Sequence, residues 1–237
     1  MRAVVEVRVM VWLLVVVAVM PLRLTAAAPD DATLFRHCPG LAAWVAAKRK
    51  IEEKTVIPPT PEIAPSAPQL RQDLLNMARQ DQDARNSLDI RHQGPDDPAV
   101  QKMFRIDAAN LRRIKIIVSK YGFPTRALVG GDGVAAAWLL AQHADADPEF
   151  QSSVLEQIDV PSRRNEIGGD LIALLTDRVL LAAGKPQRYG TQFSINGDAQ
   201  ELRPTEDLDH LDERRAKLGL YPMSVYECLV REQYHTH

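Results

Sequence analysis

The segment from Val134 to Ala141 constrains the fold more than any other, because every residue in it is apolar. A helix over these residues has no polar face, and such a helix is usually buried at the centre of a domain. Other helices must then surround it. The segment therefore predicts a mainly α fold, a compact multi-helix domain whose core lies around this helix.

Apolar residues recur at helical spacing on both sides of the central segment. The predicted surrounding helices span residues 70–88, 106–120, 148–158, 170–183, 207–218 and 222–232. The helix at 106–120 is expected to bury one apolar side, formed by Phe104, Ala108, Leu111, Ile114, Val118 and Tyr121. A glycine-rich loop at 130–133 is expected before the central helix. Asp147, followed by Pro148, is expected to cap the helix at 148–158.

A small β-hairpin is predicted near residues 188–203. Residues 187–195 are typical of a strand, and Asn196-Gly197 is the strongest short turn signal. Side chains alternate across a strand, so one face of this strand is expected to carry Tyr189, Thr191, Phe193 and Ile195.

The first residues predict export. Residues 9–20 are all apolar, which matches a signal-peptide core and falls short of the roughly 20 residues of a membrane span. Thr25 and Ala27 supply the small residues that a signal peptidase needs for cleavage after Ala27. We expect a signal peptide at 1–27 and a periplasmic or extracellular chain without a stable membrane span. The alternative is a retained membrane anchor.

The rest of the chain divides into an N-terminal segment with a Pro-rich linker at 28–69 and a helical domain at 70–232. Removal of residues 1–27 changes the formal net charge from -2 to -4, because three arginines and one glutamate are lost. A mildly acidic domain without a basic stripe cannot neutralise many phosphates. Nucleic acid is therefore not an expected partner.

Cys38 and Cys228 lie near opposite ends of the mature chain and would meet an oxidising environment after export. We expect a disulfide between them, and two free, buried thiols are the alternative. No nucleophile motif surrounds either cysteine, so a catalytic cysteine is not expected.

Polar residues stand where helical spacing calls for apolar ones. Asp81 and Arg85 continue the apolar stripe of the helix at 70–88, as an ion pair at the edge of the core or as part of a pocket lining. Arg178 shares a helix face with two leucines, and a buried arginine needs a partner such as Asp81 or Asp145. Gln142 and His143 follow the buried helix. We expect these residues to gather in one cleft, closed by the strand at 189–192.

Two functions are open for this cleft. As a hydrolase, the cell-envelope protein would use His143 as general base or metal ligand, with Asp145 or Asp177 orienting the imidazole. As a binding or interaction module, which we favour, it would hold a small-molecule, peptide or glycan ligand. The residues expected to contact that ligand are Asp81, Arg85, Gln142, Arg178, Gln187, Tyr189 and Gln192. A calcium-loop pattern is rejected, because Phe150 stands where glycine is required.

Several short motifs follow one another along the chain: Asp81-Gln82 with Arg85, residues 121–125, residues 137–145, Thr176-Asp177-Arg178, Gln187, residues 189–192, and Arg214-Arg215. In this combination the chain resembles the bacterial domain-of-unknown-function family 6624 over roughly residues 70–230. That family carries no established activity, so the resemblance implies a domain and no chemistry. The known signatures of serine hydrolases, zinc peptidases and phosphate-binding loops are missing from the sequence, and the cofactor is left unidentified.

Overall fold

The computed structural model describes residues 31–54, 64–88, 94, 96–160, 166–196 and 199–235. Within these residues the chain is mainly helical with one small hairpin, which confirms the predicted fold class. The elements are α1 (Asp31–His37), α2 (Pro39–Lys54), α3 (Pro68–Asn86), α4 (Pro98–Tyr121), α5 (Arg126–Gln142), α6 (Pro148–Ile158), α7 (Gly169–Ala182), β1 (Phe193–Asn196), β2 (Ala199–Leu202), a 3₁₀ turn (Leu208–His210), α8 (Leu211–Lys217) and α9 (Met223–His235).

The apolar helix α5 forms the centre of the domain, as predicted. It packs against α3, α4, α6 and α7, and these five helices share one hydrophobic core. The indole nitrogen of Trp138 in α5 donates a hydrogen bond of 3.1 Å to the carbonyl oxygen of Leu171 in α7. Polar residues at the C-terminal end of α5 therefore emerge between neighbouring helices rather than into solvent.

The predicted glycine loop at 130–133 is wrong, because these residues lie inside α5. The helix begins earlier, where the hydroxyl of Thr125 accepts a hydrogen bond from the backbone of Leu128. Only Gly130 leaves the helical conformation, with φ of 75°, a value that glycine adopts without steric cost. The glycine cluster produces a kink instead of a loop.

Helix α4 is longer than predicted, and only part of its predicted apolar side, including Ile114 and Val118, is buried. It begins at Pro98, because the carboxylate of Asp97 accepts hydrogen bonds from two backbone amides of the first turn. Phe104 and Tyr121, expected in the core, are 41% and 45% exposed. The buried residues of α4 are Val100, Met103, Asn110, Ile114, Ile117 and Val118.

The hairpin exists, but its first strand is shorter than predicted. Residues 187–192 form a loop, and β1 pairs with β2 in antiparallel register with Asn196 opposite Ala199. The expected common face of Tyr189, Thr191, Phe193 and Ile195 is therefore wrong, since the first two residues lie outside the strand. Side chains hold this loop in place, as described below. The turn residues 197 and 198 lie outside the described part.

A disulfide joins Cys38 to Cys228, which confirms the predicted bridge, with 5.8 Å between the two Cα atoms. It ties α1 and α2 to α9, and the three helices share a small apolar cluster. The expected signal peptide and most of the Pro-rich linker lie outside the described residues and stay predictions. None of the helices described is long and apolar enough to cross a membrane.

Candidate functional site

The predicted polar residues lie in two buried groups. The His143 cluster consists of Asp81, Arg85, Asp107, Gln142, His143, Asp145 and Arg178. The Asp177 cluster consists of Asp177, Gln187, Tyr189, Thr191 and Gln192. The five residues expected to gather, Asp81, Arg85, Gln142, His143 and Arg178, do lie in one group. The expectation that residues 189–192 close this group is wrong, because that segment folds over Asp177.

His143 and Asp81 form the centre of the first group. The Nδ1 atom of His143 lies 2.8 Å from Oδ2 of Asp81 and 3.1 Å from its Oδ1. His143 caps the C-terminal end of α5, and its backbone amide donates to the carbonyl of Leu139. The sequence predicts that Asp145 or Asp177 orients the imidazole, but Asp81 from α3 does so, and the other two carboxylates bind other donors.

Burial decides the charge of this pair. It lowers the pKa of His143, and the hydrogen bond that His143 donates to the Asp81 carboxylate opposes that change only in part. Burial alone would raise the pKa of Asp81, but His143 and Arg85 bring it below its ordinary value. The imidazole is therefore neutral at pH 7, with its proton on Nδ1 facing Asp81. Its Nε2 atom is then a free base and hydrogen-bond acceptor.

Arg85 connects this pair to a second carboxylate on α4. One guanidinium nitrogen donates to Asp81 Oδ1 at 2.8 Å, and another donates to both oxygens of Asp107 at 3.0 Å. The predicted ion pair between Asp81 and Arg85 is thus confirmed. Burial raises the pKa of Asp107 to about 6, in spite of Arg85. The sequence analysis did not select Asp107. It stands at helical spacing between Met103 and Asn110, on the side of α4 that is buried.

Arg178 reaches from α7 to the C-terminal end of α5. Its Nη1 donates to the carbonyl oxygen of Gln142 at 2.7 Å and forms an ion pair with Asp145, one of its two predicted partners. The side-chain amide of Gln151 donates to the same carbonyl at 3.0 Å and to that of Ala141 at 3.2 Å. Both side chains satisfy carbonyl groups that a helix end leaves open. Gln151 was missed, although it stands on the apolar face of α6.

Four polar atoms in the His143 cluster are buried without a partner among the described residues. They are Nε2 and Oε1 of Gln142, Nε2 of His143 and Nε of Arg178. Gln142 is 0% exposed. The cluster therefore offers donors and acceptors that the surrounding protein does not use.

In the Asp177 cluster, the carboxylate of Asp177 holds the loop after α7. It accepts hydrogen bonds from the backbone amides of Arg188, Tyr189 and Thr191 at 2.7 to 2.9 Å, and from the Thr191 hydroxyl at 2.9 Å. Burial raises the pKa of Asp177, and the four donors act against that effect. All of its hydrogen-bonding capacity is occupied by the loop.

Gln187 and Gln192 close the same loop from the other side. The Gln187 side chain donates to the carbonyls of Gln192 and Arg203 at 3.0 Å and accepts from the Gln192 backbone amide at 2.9 Å. The amide of Gln192 donates to the Thr191 hydroxyl. These expected ligand contacts are engaged within the fold. Their proposed binding role stays a prediction, and so do the catalytic roles of His143, Asp145 and Asp177.

No three histidine, cysteine, aspartate or glutamate side chains within the described residues are arranged to hold a metal ion. The His143 cluster supplies instead a neutral base, an unpaired amide and an unpaired guanidinium nitrogen. Each of these groups can make further hydrogen bonds, and Nε2 of the imidazole can take a proton.

The chain matches, over residues 68–237, a family described as a family of unknown function (DUF6624), and it belongs to that family. No curated protein and no solved structure matches the chain. Both polar clusters lie inside the matched region, whereas α1 and α2 lie outside it.

Proposed function

We propose that this member of the family of unknown function is an exported binding module of the cell envelope, whose site is the His143 cluster. The apolar start of the sequence and the disulfide support an oxidising compartment. The ligand is an amide-bearing one, a peptide or an N-acetylated glycan.

The unpaired side chain of Gln142 carries this proposal. A buried polar atom without a hydrogen bond costs about 1–3 kcal/mol, and the His143 cluster holds four of them. Their summed cost approaches the whole stability of a typical domain, roughly 5–15 kcal/mol. A fold that uses every polar atom around Gln187 has no structural reason to leave those of Gln142 open. We therefore assign them to a ligand.

The donors and acceptors indicate which ligand chemistry fits. The amide of Gln142 offers one donor nitrogen and one acceptor oxygen, which match the oxygen and nitrogen of a second amide. The neutral imidazole of His143 adds an acceptor, and Nε of Arg178 adds a donor. The charges of Arg85 and Arg178 are matched by neighbouring carboxylates, so an uncharged ligand group is favoured over an ion.

Asp145 is the most exposed carboxylate of the cluster. The side chain of Asp145 is 40% exposed and holds the buried guanidinium of Arg178, which in turn contacts the carbonyl of Gln142. Separation of this ion pair would expose the guanidinium of Arg178 to a ligand. Binding therefore requires a local opening at the end of α5.

The proposal is tested by ligand-observed NMR on the full exported chain. N-acetylglucosamine represents the glycan source and N-acetylglycinamide the peptide source, with glucosamine as the sugar without the amide. We expect one of the two amide probes to bind and glucosamine to bind at least tenfold more weakly than N-acetylglucosamine if the glycan is the ligand. Gln142→Leu should abolish binding, whereas Gln69→Leu, at an exposed position of α3, should leave it unchanged. Failure of both amide probes, or equal binding by the two variants, would overturn the proposal.

A small envelope hydrolase is the second candidate, and the pair of His143 and Asp81 favours it. A neutral imidazole oriented by a carboxylate is a suitable general base. However, Nε2 is enclosed, and no hydroxyl or thiol among the described residues is hydrogen-bonded to it. Release of acetate from N-acetylglucosamine, lost in His143→Gln, would favour the hydrolase over the binding module.

A further inference from the structure

A second site is a pocket of about 190 Å³ whose lining contains none of Gln142, His143 and Arg178. It lies between α2, the N-terminal end of α7 and residues 218–221. The side chains that give it chemical character are Trp44, Lys48, Asp170, Arg215, Tyr221 and Tyr226. Thr191 of the Asp177 cluster and Arg215 also line this pocket, but Gln142, His143 and Arg178 do not.

Aromatic rings form its walls. The rings of Trp44 and Tyr221 pack together with their centroids 4.1 Å apart, at an angle of 42°. Tyr226 is buried behind them, and its hydroxyl donates to the carbonyl oxygen of Thr191 at 3.0 Å. Aromatic walls with a few placed polar groups are typical of small-molecule sites, and a further ring packs well against such rings.

The charges around the pocket restrict the ligand. The Nζ atom of Lys48 lies 4.8 Å from the Trp44 ring centroid, and the guanidinium carbon of Arg215 lies 4.7 Å from that of Tyr226. The protein's own cations therefore occupy the positions that a cationic ligand would take over these rings. Asp170 supplies a carboxylate at the N-terminal end of α7, which repels an anion and accepts a hydrogen bond from a neutral donor.

We propose that this pocket binds a neutral aromatic ring that carries one hydrogen-bond donor, a phenol or an indole. The ring would lie against Trp44 and Tyr221, and its hydroxyl or N–H would donate to Asp170. The size agrees, since an engineered protein cavity of about 150 Å³ binds benzene. The ring can belong to a free small molecule or to a tyrosine or tryptophan side chain of a peptide.

Ligand binding in this pocket should depend on the disulfide. Trp44 and Lys48 belong to α2, which lies outside the region matched by the family, and the bond between Cys38 and Cys228 ties the N-terminal helices to α9. Reduction of that bond releases the tether on one wall of the pocket. Ligand binding should therefore weaken when the disulfide is reduced, while the His143 cluster stays in place.

The test titrates p-cresol, indole and toluene into the full chain and measures binding by NMR. We expect p-cresol and indole to bind at least fivefold more tightly than toluene, and Trp44→Ala to weaken both at least tenfold. Tyr121→Ala is the matched control, because Tyr121 also has a lysine over its ring, Lys120, but lies outside the pocket. Thermal unfolding checks that each variant is folded.

Two further measurements complete the test. Asp170→Ala should reduce the preference for p-cresol over toluene to less than twofold, because the acceptor is removed. N-acetyltyrosinamide separates the sources, since tighter binding than p-cresol indicates a peptide and weaker binding a free small molecule. Absence of binding by all the ring probes, equal affinity of p-cresol and toluene, or an equal loss in Trp44→Ala and Tyr121→Ala would overturn the proposal.

Discussion

The His143 cluster and the Asp177 cluster contain neighbouring residues of α7, Arg178 and Asp177, yet they differ in how completely their polar atoms are hydrogen-bonded. Asp177 accepts four hydrogen bonds, and Gln187 uses both ends of its amide, so the Asp177 cluster is saturated. In the His143 cluster the amide of Gln142 has no partner among the residues that the structure describes. Buried polar groups are normally satisfied. The Asp177 cluster therefore serves the fold, and the open atoms of the His143 cluster are the basis of the proposed ligand site.

Three glutamines show the same difference at a single residue type. Gln142, Gln151 and Gln187 are all fully buried. The amide nitrogens of Gln151 and Gln187 donate to backbone carbonyls, while that of Gln142 donates to no group in the described part of the chain. Burial of a glutamine therefore does not by itself reveal its role, but its hydrogen bonds do.

The largest expected effect concerns Asp177. Asp177→Ala leaves three backbone amides and one hydroxyl without their acceptor, so we expect a loss of about 3–5 kcal/mol in the free energy of unfolding, measured in urea. Asp132→Ala is the control, since the exposed pair of Asp132 and Arg71 should contribute at most about 1 kcal/mol. A loss in Asp177→Ala no larger than in the control would show that this cluster does not hold the fold.

The pH dependence of stability isolates His143. Because burial lowers its pKa, the folded protein takes up this proton at a lower pH than the unfolded chain does. The stability that depends on the neutral imidazole is fully present above about pH 6.5, which is the pKa of histidine in the unfolded chain. It is lost as the pH falls below that pKa.

His143→Gln lacks this titration. We therefore expect the difference in unfolding free energy between wild type and His143→Gln to shift against the wild type between pH 7.5 and pH 5.5. Asp107, with its pKa raised to about 6, faces Arg85 in both proteins, so to first order its titration cancels in the difference. A constant difference, or one that moves in favour of the wild type in acid, would contradict the neutral His143 described here.

The sequence predicted the elements that repetitive apolar spacing controls. The central helix α5, the helices around it and the cap at Asp147 follow from local patterns, and the disulfide follows from the number and position of the cysteines. The predicted glycine loop is wrong because a single residue, Gly130, adopts a non-helical conformation while the rest of the segment stays helical. The predicted strand at 187–192 is wrong because the backbone amides of this segment donate to the carboxylate of Asp177 instead of to a second strand.

The candidate site was predictable only in part. Asp81, Arg85, His143 and Arg178 could be selected because polar residues at apolar positions must find partners. The partners themselves depend on how helices pack, and no local spacing places Asp107 of α4 beside Arg85 of α3. Whether a buried amide finds hydrogen-bond partners also depends on the packed structure. The sequence therefore could not show that Gln187 has partners and that the side chain of Gln142 has none among the described residues.

The smallest effect tests the central claim most directly. Gln142→Leu and Gln151→Leu make the same change at two buried glutamines, and both unfolding free energies are measured in urea without added ligand. We expect Gln142→Leu to stabilise the protein by about 1–2 kcal/mol, because it removes unpaired buried atoms, and Gln151→Leu to destabilise it by about 1–3 kcal/mol. Equal destabilisation by the two substitutions would contradict the account, since it would show that the Gln142 amide is already bound within the fold.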